Sequence, residues 1–444
     1  MFSKRHTMPL CLFWPWVTAL LLCCFLDCTQ LQELAVNAKQ RPANLYQDHK
    51  ERRVTPSLAA QAKKDSIHFT WSYIPPVVFL KTHKTGGSTV QNVLFRMGEK
   101  DGATFAFPYY TYQFSYPDKF RADFVDELPE GSSNFDILCS HMRLDIEELR
   151  PMMLPNTIYV TILRDPVRTF ESVFSCYTST VPAFTLAKKA AEHRSALSMF
   201  LESPESFWDP KEPRNGLAKN PMSFDLGLDG QKWDSWPTDL TQLEETFQLV
   251  MIAEHFDESL VLLGALLKLE LEELAYVHFN TRSAQDLTPL DDITKARIRA
   301  WNRMDVLLYD FFLHLFWEKA ARYGMERLKK DVARLRASTD RIRQKCVSRK
   351  EVPPGELEDL LRPVQTDSAT ILGYHVQGNL TKQAQGFCMR FVLPERHYHA
   401  HLYFQQYGRA MRPVPTTSFS ISFKSHMFPR IQFSNPSKVQ HPIT

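Results

Sequence analysis

The chain has 444 residues, a formal net charge of +3, and 44% hydrophobic and 12% aromatic side chains. This composition excludes an intrinsically disordered chain and a strongly basic protein that coats nucleic acid. An α/β domain with insertions accounts for most of this length, so we expect one main domain.

The N-terminal segment predicts a membrane anchor. Lys4 and Arg5 precede a stretch without charged residues from Pro9 to Leu26, which is long enough to cross a bilayer. Basic residues before it favour a cytoplasmic N-terminus, and no Ala-x-Ala-like site follows it, so a cleaved signal peptide is the weaker alternative. We therefore predict a cytoplasmic tail at 1–8, a type II transmembrane signal anchor at 9–28 and a polar stem at 29–72.

A short apolar run then leads into a glycine-containing loop. Residues 77–80 suit a buried parallel strand, and apolar residues recur at helical spacing from Val90 to Met97. Backbone N–H groups of such a loop and of the helix start would bind an anion. Lys84 precedes the glycines, so this is not an ATP-binding Walker loop; an ordinary surface turn is the alternative. The loop consists of Lys84, Thr85, Gly86, Gly87, Ser88 and Thr89.

A second strand also ends in a cationic residue. The β-branched run at 157–163 is followed by Arg164, and Pro166 stands where the start of a helix tolerates proline. Arg164 and Ser172 would hold a second phosphate, which indicates a nucleotide with phosphates at both its 5′ and 3′ positions. A further apolar run at 249–253 ends at Glu254, so strands alternate with helices. The sequence thus predicts an α/β fold in which a parallel sheet with a P-loop-like turn is flanked by helices.

A histidine lies between the two phosphate elements. His141 follows the apolar run at 135–138, which reads as another short strand. A lone histidine at a strand end is usually structural, and that alternative stays open. Its place between two donor-site elements favours a catalytic role.

Several short sequence segments together closely resemble the galactose-3-O-sulfotransferase family. The resemblance extends over roughly residues 75–405 and implies a sulfotransferase fold for a lumenal domain at 73–405. It also implies transfer of sulfate from 3′-phosphoadenosine 5′-phosphosulfate (PAPS) to the 3-hydroxyl of a terminal β-galactose on glycolipid or glycoprotein glycans, without an obligate metal. Gly87 departs from the serine that the family usually carries there. The segments that carry the resemblance are residues 79–85, 139–143, 224–227, 254–263 and 371–374.

The resemblance also implies roles for individual residues. Lys84 would stabilise charge on the bridging oxygen of PAPS, and His141 would accept the proton of the acceptor hydroxyl. The loop at 84–89 would hold the 5′-phosphosulfate through backbone and hydroxyl donors, and Arg164 and Ser172 the 3′-phosphate. Arg282 is a further candidate anion contact or an exposed structural arginine, and Glu254 is a structural cap or a supporting partner. Candidates for the galactose site are Asn220, Phe224 and Asp225, and a packing role is the alternative for Phe224.

A lumenal domain would lie in an oxidising compartment of the Golgi. Cys139, Cys176, Cys346 and Cys388 follow the anchor and allow three pairings. We select Cys346–Cys388, which would attach the C-terminal segment to the basic, helix-like segment that follows Gly324. Asn379 begins a usable N-glycosylation sequon.

The remaining expectations concern the C-terminal half of the chain. A helical pattern from 294 to 323 continues past Gly324 into a basic segment, which reads as a packed helix with a solvated basic face or as a patch for acidic glycans or anionic lipids. Residues 406–444 read as a tail. The sequence does not determine which galactoside is the acceptor, and it leaves the oligomeric state open, a homodimer included. A non-catalytic glycan-binding protein of the same fold is the alternative to an enzyme.

Overall fold

The computed structural model describes residues 74–228, 235–287, 289–366 and 368–412. The predicted cytoplasmic tail, anchor and stem lie outside the described residues. Within the described ranges, every helix is too short or too polar to cross a membrane.

A parallel sheet forms the centre of the fold. Its strands are all parallel and lie in the order β2, β1, β3, β4. Continuous apolar runs form β1, β3 and β4 because helices cover both faces of the sheet. The carboxyl ends of parallel strands meet at one edge, where ligands of such sheets bind. The strands are β1 (Val77–Leu80), β2 (Ile137–Leu138), β3 (Ile158–Leu163) and β4 (Leu249–Ile252).

Helices follow the strands and pack around the sheet. The first helix begins directly after the phosphate loop, and the last helix packs against it. The helices are α1 (Gly87–Asp101), α2 (Ile146–Leu149), α3 (Pro166–Tyr177), α4 (Pro182–Ala190), α5 (Ala196–Glu202), α6 (Pro221–Asp225), α7 (Trp236–Thr246), α8 (Phe256–Leu267), α9 (Asp292–Trp301), α10 (Arg303–Tyr323), α11 (Met325–Cys346), α12 (Lys382–Val392) and α13 (Glu395–Tyr407).

The long helical pattern from residue 294 is divided into three helices. Breaks fall at Asn302 and at Gly324, whose φ of 100° favours glycine. The arginines of α11 are largely neutralised, because acidic side chains on α11 and on neighbouring segments pair with them. These pairs favour the packed-helix interpretation over an anion-binding patch. They join Arg327 and Arg334 to Asp331, Arg336 to Asp257, Arg341 to Glu272 and Arg343 to Asp340.

A small antiparallel sheet and a disulfide hold the C-terminal part. Strands β5 (Val347–Val352) and β6 (Gly373–Val376) pair directly after α11. Cys346 at the end of α11 is bonded to Cys388 in α12, which is the pairing selected from the sequence, while Cys139 and Cys176 are free thiols. The disulfide therefore attaches α12 to the arginine-rich α11.

The domain boundary predicted at residue 405 is wrong, because the folded part continues beyond it. The side-chain amide of Gln406 makes two hydrogen bonds of 2.8 Å with the backbone of Phe105. Arg409 and Arg412 then bind the fully buried carboxylate of Asp126 at 2.8 and 3.2 Å. These contacts extend the packed domain at least to Arg412.

We expect His399 on α13 to make stability depend on pH. Its ring is buried against Phe107 and Tyr112, neither ring nitrogen has a hydrogen-bond partner among the described residues, and burial lowers its pKa to about 3. Between that value and the ordinary pKa of about 6.5, the unfolded chain binds more protons, so stability falls as the pH is lowered through this window.

The His399→Leu variant should remove this loss. Its free energy of unfolding at pH 5, relative to pH 7, should exceed that of the native chain by on the order of 2 kcal/mol. Denaturant unfolding at the two pH values measures the difference. His314→Leu, at an exposed histidine, is the matched control. An unchanged pH dependence in His399→Leu would contradict the assignment.

Candidate active site

The loop between β1 and α1 has the geometry of an anion-binding turn. Gly86 precedes α1 with a φ of 93°, a conformation that favours glycine, and a side chain there would be strained. The N–H of Thr89 donates to the carbonyl of Gly86, whereas the N–H groups of Gly87 and Ser88 have no acceptor within the helix. The start of this 15-residue helix therefore presents free backbone donors and a partial positive charge.

The hydroxyl groups of this loop point to protein partners, which corrects part of the prediction. Thr85 Oγ1 is hydrogen-bonded to Thr82, and Ser88 Oγ donates to Glu395 Oε2 at 2.8 Å. Thr89 Oγ1 lies between the carbonyl of Val277 and the N–H of Phe279. The loop thus offers backbone N–H groups to an anion, and its hydroxyls fix the loop to its surroundings.

Lys84 and Arg164 connect the two predicted phosphate elements. Strands β1 and β3 are adjacent, and the Arg164 guanidinium donates to the carbonyl of Lys84 at 2.9 Å. The Lys84 ammonium makes no hydrogen bond or ion pair within the described part of the chain. Lys84 also has a φ of 62°, which is unfavourable for a lysine, and such strain is typical of functional sites. The loop therefore holds a cation that no described residue pairs with, just before the start of α1.

Helix α3 carries the second element. Pro166 occupies its first turn, and Asp165 caps it by accepting from the N–H of Arg168 at 3.0 Å. Ser172 is a buried residue, and its hydroxyl makes no hydrogen bond with the described residues. Glu254, at the end of β4, accepts from the N–H of Asp165 and so fixes the start of α3. Arg164 thus lies at the turn between β3 and α3, and Ser172 lies within α3. Their shared contact with a 3′-phosphate stays a prediction.

Arg282 reaches the same helix but has an internal partner. Its guanidinium makes two hydrogen bonds with the carboxylate of Glu171, at 2.8 and 2.6 Å. Glu171 precedes Ser172 in α3. A carboxylate therefore occupies two donors of Arg282, and its contact with the nucleotide stays a prediction.

His141 lies beside a second histidine that the sequence did not single out. The rings of His141 and His83 stack with centroids 4.1 Å apart. His141 Nδ1 contacts the carbonyl of Lys81 at 2.7 Å, so Nδ1 carries the proton and Nε2 is free to accept one. Burial and the neighbouring His83 and Lys81 hold the pKa of His141 well below its ordinary value. The ring is therefore neutral near pH 7, as a general base must be.

His83 is oriented by a buried carboxylate. Asp225 lies 3.0 Å from His83 Nδ1 and accepts the backbone N–H of His83 at 2.6 Å. The Tyr116 hydroxyl donates to the same carboxylate at 2.7 Å. This arrangement leaves Nε2 of His83 as a second candidate base. Asp225 is fully buried, so the structure gives its carboxylate an orienting role, and its contact with galactose stays a prediction.

Asn220 also has an internal role. Its side-chain oxygen accepts from the N–H groups of Met304 and Asp305, at 3.1 and 3.3 Å, and its backbone N–H donates to Asn302. It therefore joins the loop before α6 to the start of α10. Its predicted contact with a sugar is not available to this side-chain oxygen.

Phe224 lines a cavity of about 240 Å³. Its ring lies 5.9 Å from that of Tyr116, whose ring is 4.6 Å from His83. Aromatic faces and polar groups of this kind bind sugars. The lining consists of Arg143, Trp208, Asp209, Pro210, Glu212, Pro213, Asn215, Gly216, Lys219, Asn220, Phe224 and Leu228.

Part of this cavity is fixed by cation–π contacts. The Lys219 ammonium lies 4.5 Å from the Trp208 ring and 4.2 Å from the Trp301 ring, and the Arg143 guanidinium lies 4.2 Å from the Phe224 ring. No pattern in the sequence singled out Trp208 or Lys219. In the described ranges, His, Cys, Asp and Glu side chains form no group of three or more that could hold a metal.

Two cationic side chains that follow adjacent parallel strands, Lys84 and Arg164, thus lie at the same edge of the sheet as the stacked His83 and His141. Residues 12–406 match the family model described as galactose-3-O-sulfotransferase. The chain belongs to the galactose-3-O-sulfotransferase family and is a sulfotransferase, so the non-catalytic alternative is set aside.

Similar proteins include enzymes with two kinds of name. Galactosylceramide sulfotransferase of Bos taurus is 38% identical over 72% of this chain and 76% of its own length. Galactose-3-O-sulfotransferase 2 of Sus scrofa is 38% identical over 81% of this chain and 89% of its own length. Galactose-3-O-sulfotransferase 3 of Homo sapiens is 37% identical over 76% of this chain and 80% of its own length. One of these names thus refers to a glycolipid, galactosylceramide, and the other two refer to galactose in general.

We expect replacement of Arg164 to weaken donor binding. Arg164→Ala removes a guanidinium at the proposed 3′-phosphate site and its bond to the Lys84 carbonyl. The affinity for adenosine 3′,5′-bisphosphate should fall by roughly 1.5–3 kcal/mol, the scale of a charge-assisted hydrogen bond. Titration calorimetry measures it, with Arg327→Ala on α11 as the exposed-arginine control. Unchanged affinity in Arg164→Ala would remove this assignment.

Proposed function

We propose that this enzyme transfers the sulfuryl group of PAPS to the 3-hydroxyl of a terminal β-galactose on a glycolipid or glycoprotein glycan. The observation that carries the proposal is the neutral, oriented His141 near Lys84, whose ammonium has no partner among the described residues, and near the N–H groups at the start of α1. Family membership supports galactose as the acceptor. Sulfation of another glycan hydroxyl is the alternative.

The residues present fit such a donor. The start of α1 offers N–H groups without helical acceptors, and an atom added at Gly86 would meet nothing closer than 3.8 Å, so the backbone is open to an anion. Lys84, Arg164 and Ser172 add two cations and a hydroxyl. PAPS supplies the sulfuryl group and, at its 3′ position, the phosphate that Arg164 and Ser172 would hold.

The chain's own groups then have separate tasks. Backbone N–H groups of Gly87 and Ser88 bind and orient the 5′ group of the donor. Lys84 stabilises the negative charge that grows on the bridging oxygen as the sulfuryl group leaves. Nε2 of His141 accepts the proton of the acceptor hydroxyl, and the stacked His83, held by Asp225, keeps the ring in place. The cavity beside Phe224 receives the galactoside.

Transfer of radiolabel tests this function. The full chain is incubated with PAPS carrying labelled sulfate and a panel of β-galactosides that includes lactosamine, an O-glycan core disaccharide and galactosylceramide. The proposal expects label on at least one β-galactoside and none on the matching α-galactoside. Label on acceptors without galactose, or on none of the panel, would contradict it.

We also propose a Golgi location with a lumenal catalytic domain. The support is the uncharged stretch at 9–26 with basic residues before it, the Cys346–Cys388 disulfide, and the exposed Asn379 in a bend between β6 and α12. In sealed Golgi vesicles the domain should resist added protease, and glycosidase treatment should remove a glycan from Asn379. Digestion of the domain in intact vesicles would contradict this topology.

A further inference from the structure

The first residue of the last helix reaches beneath the phosphate loop. Glu395 begins α13, where the helix dipole favours a carboxylate. Its Oε1 forms an ion pair with the Lys81 ammonium, and its Oε2 accepts from Ser88 Oγ at 2.8 Å. The Lys81 ammonium also donates to Gln91 Oε1 of α1 at 2.9 Å. One carboxylate thus connects the C-terminal helix with the end of β1 and the first turn of α1.

Lys81 differs from Lys84 in what it can contact. The Lys81 side chain is 2% exposed and its ammonium has two protein partners, so it is not free to bind a ligand. Its backbone carbonyl accepts the hydrogen bond that Nδ1–H of His141 donates, at 2.7 Å. The residue that orients His141 is therefore the same residue that Glu395 holds.

Gly87 is part of this arrangement. A Cβ atom at position 87 would lie 2.8 Å from Lys81 Cγ, closer than two carbon atoms approach, so a serine or alanine would push the lysine stem aside. Glycine leaves room for the Lys81 stem to pass beneath the loop. The departure of Gly87 from the usual serine is thus accounted for by the path of Lys81.

We propose that Glu395 is a positioning residue of the active site, acting through Lys81 on His141 and through Ser88 on the phosphate loop. This inference rests on the proposed sulfuryl transfer. Without the carboxylate, the buried ammonium of Lys81 loses its counter-charge, and Lys81 moves to regain solvent or a new partner. The carbonyl that orients His141 and the start of α1 then shift together, which misplaces the base and the donor relative to each other.

The test compares Glu395→Gln, Lys81→Met and the double variant in the full chain. Glu395→Gln should lower kcat by up to about 10²-fold, the cost of a misplacement on the order of 1 Å, while affinity for adenosine 3′,5′-bisphosphate changes by less than about tenfold. The double variant should be no slower than the slower single variant, because the two residues act as a unit. Side-chain nitrogen NMR of His141 should show a reduced fraction of the Nδ1–H tautomer in Glu395→Gln.

The control variant is Glu356→Gln, which breaks an exposed ion pair with Arg349 of 2.7 Å and should change none of these quantities. A folded Glu395→Gln chain with native kcat and an unchanged His141 spectrum would overturn the proposal. A loss of rate that equals the loss of folded protein, with native kcat in the folded fraction, would also overturn it. If the native chain sulfates no galactoside, the proposed function fails, but the His141 spectrum and the bisphosphate affinity still decide whether Glu395 positions the site.

Discussion

Replacing His141 by alanine should lower turnover by about 10²–10⁴-fold while affinity for adenosine 3′,5′-bisphosphate is retained, because a positioned general base contributes on this scale to the reaction rate and not to donor binding. Turnover, bisphosphate affinity and melting temperature are measured on the same preparation. Since the pKa of His141 lies well below its ordinary value, the ring loses its proton at a lower pH than a free histidine. We therefore expect the acid limb of the kcat/KM profile to lie below about pH 6.5.

His83, whose ring stacks on that of His141, provides the comparison for this prediction. His83→Ala removes the stacked ring, and Asp225→Asn removes the carboxylate that orients His83. If His141 is the base, each of these changes should cost less than His141→Ala. A folded His141→Ala enzyme of near-native rate, together with inactive His83→Ala and Asp225→Asn, would transfer the role of base to the His83–Asp225 pair.

Replacing Lys84 by alanine should lower turnover by about 10²–10³-fold, the usual effect of removing one donor to a developing negative charge. Donor affinity should also fall, because the ammonium attracts the donor before the reaction as well as during it. Lys84→Arg should restore donor affinity better than turnover, since the planar guanidinium cannot place a point charge on the bridging oxygen. Steady-state kinetics with varied donor separates the two effects.

The exposed Lys329 on α11 is the matched control, and Lys329→Ala should leave both kinetic constants unchanged. Lys84→Met extends the comparison by keeping the length of the side chain without its charge. Native turnover in folded Lys84→Ala would show that the developing charge is stabilised elsewhere and would contradict the role given to this residue.

The central sheet could be predicted because its strands are continuous apolar runs. The runs at 77–80, 157–163 and 249–253 became β1, β3 and β4 with ends within one residue of the prediction. By contrast, β5 is mostly exposed and polar, and its pairing with β6 depends on a partner from a distant part of the chain. No local pattern indicates such a strand, because the stabilising contacts are made only after the chain has folded.

The candidate site was predictable where residues are close in sequence and unpredictable where distant segments meet. Lys84, Arg164 and His141 each follow a strand, and parallel strands place such residues at one edge. The contact of His83 with Asp225 joins residues 142 positions apart, and only the fold brings them together. The same holds for Asp126 with Arg412, which are 286 positions apart and extend the domain beyond the predicted boundary.

The position of the sulfate in the product tests the central claim most directly. The full chain is incubated with PAPS and a β-galactoside carrying ¹³C in its galactose, and NMR of the product locates the ester. The account predicts that the signals of carbon 3 and its proton shift downfield, with one adenosine 3′,5′-bisphosphate released for each ester formed. Sulfate on another hydroxyl of the galactose, or release of bisphosphate without an ester, would contradict it.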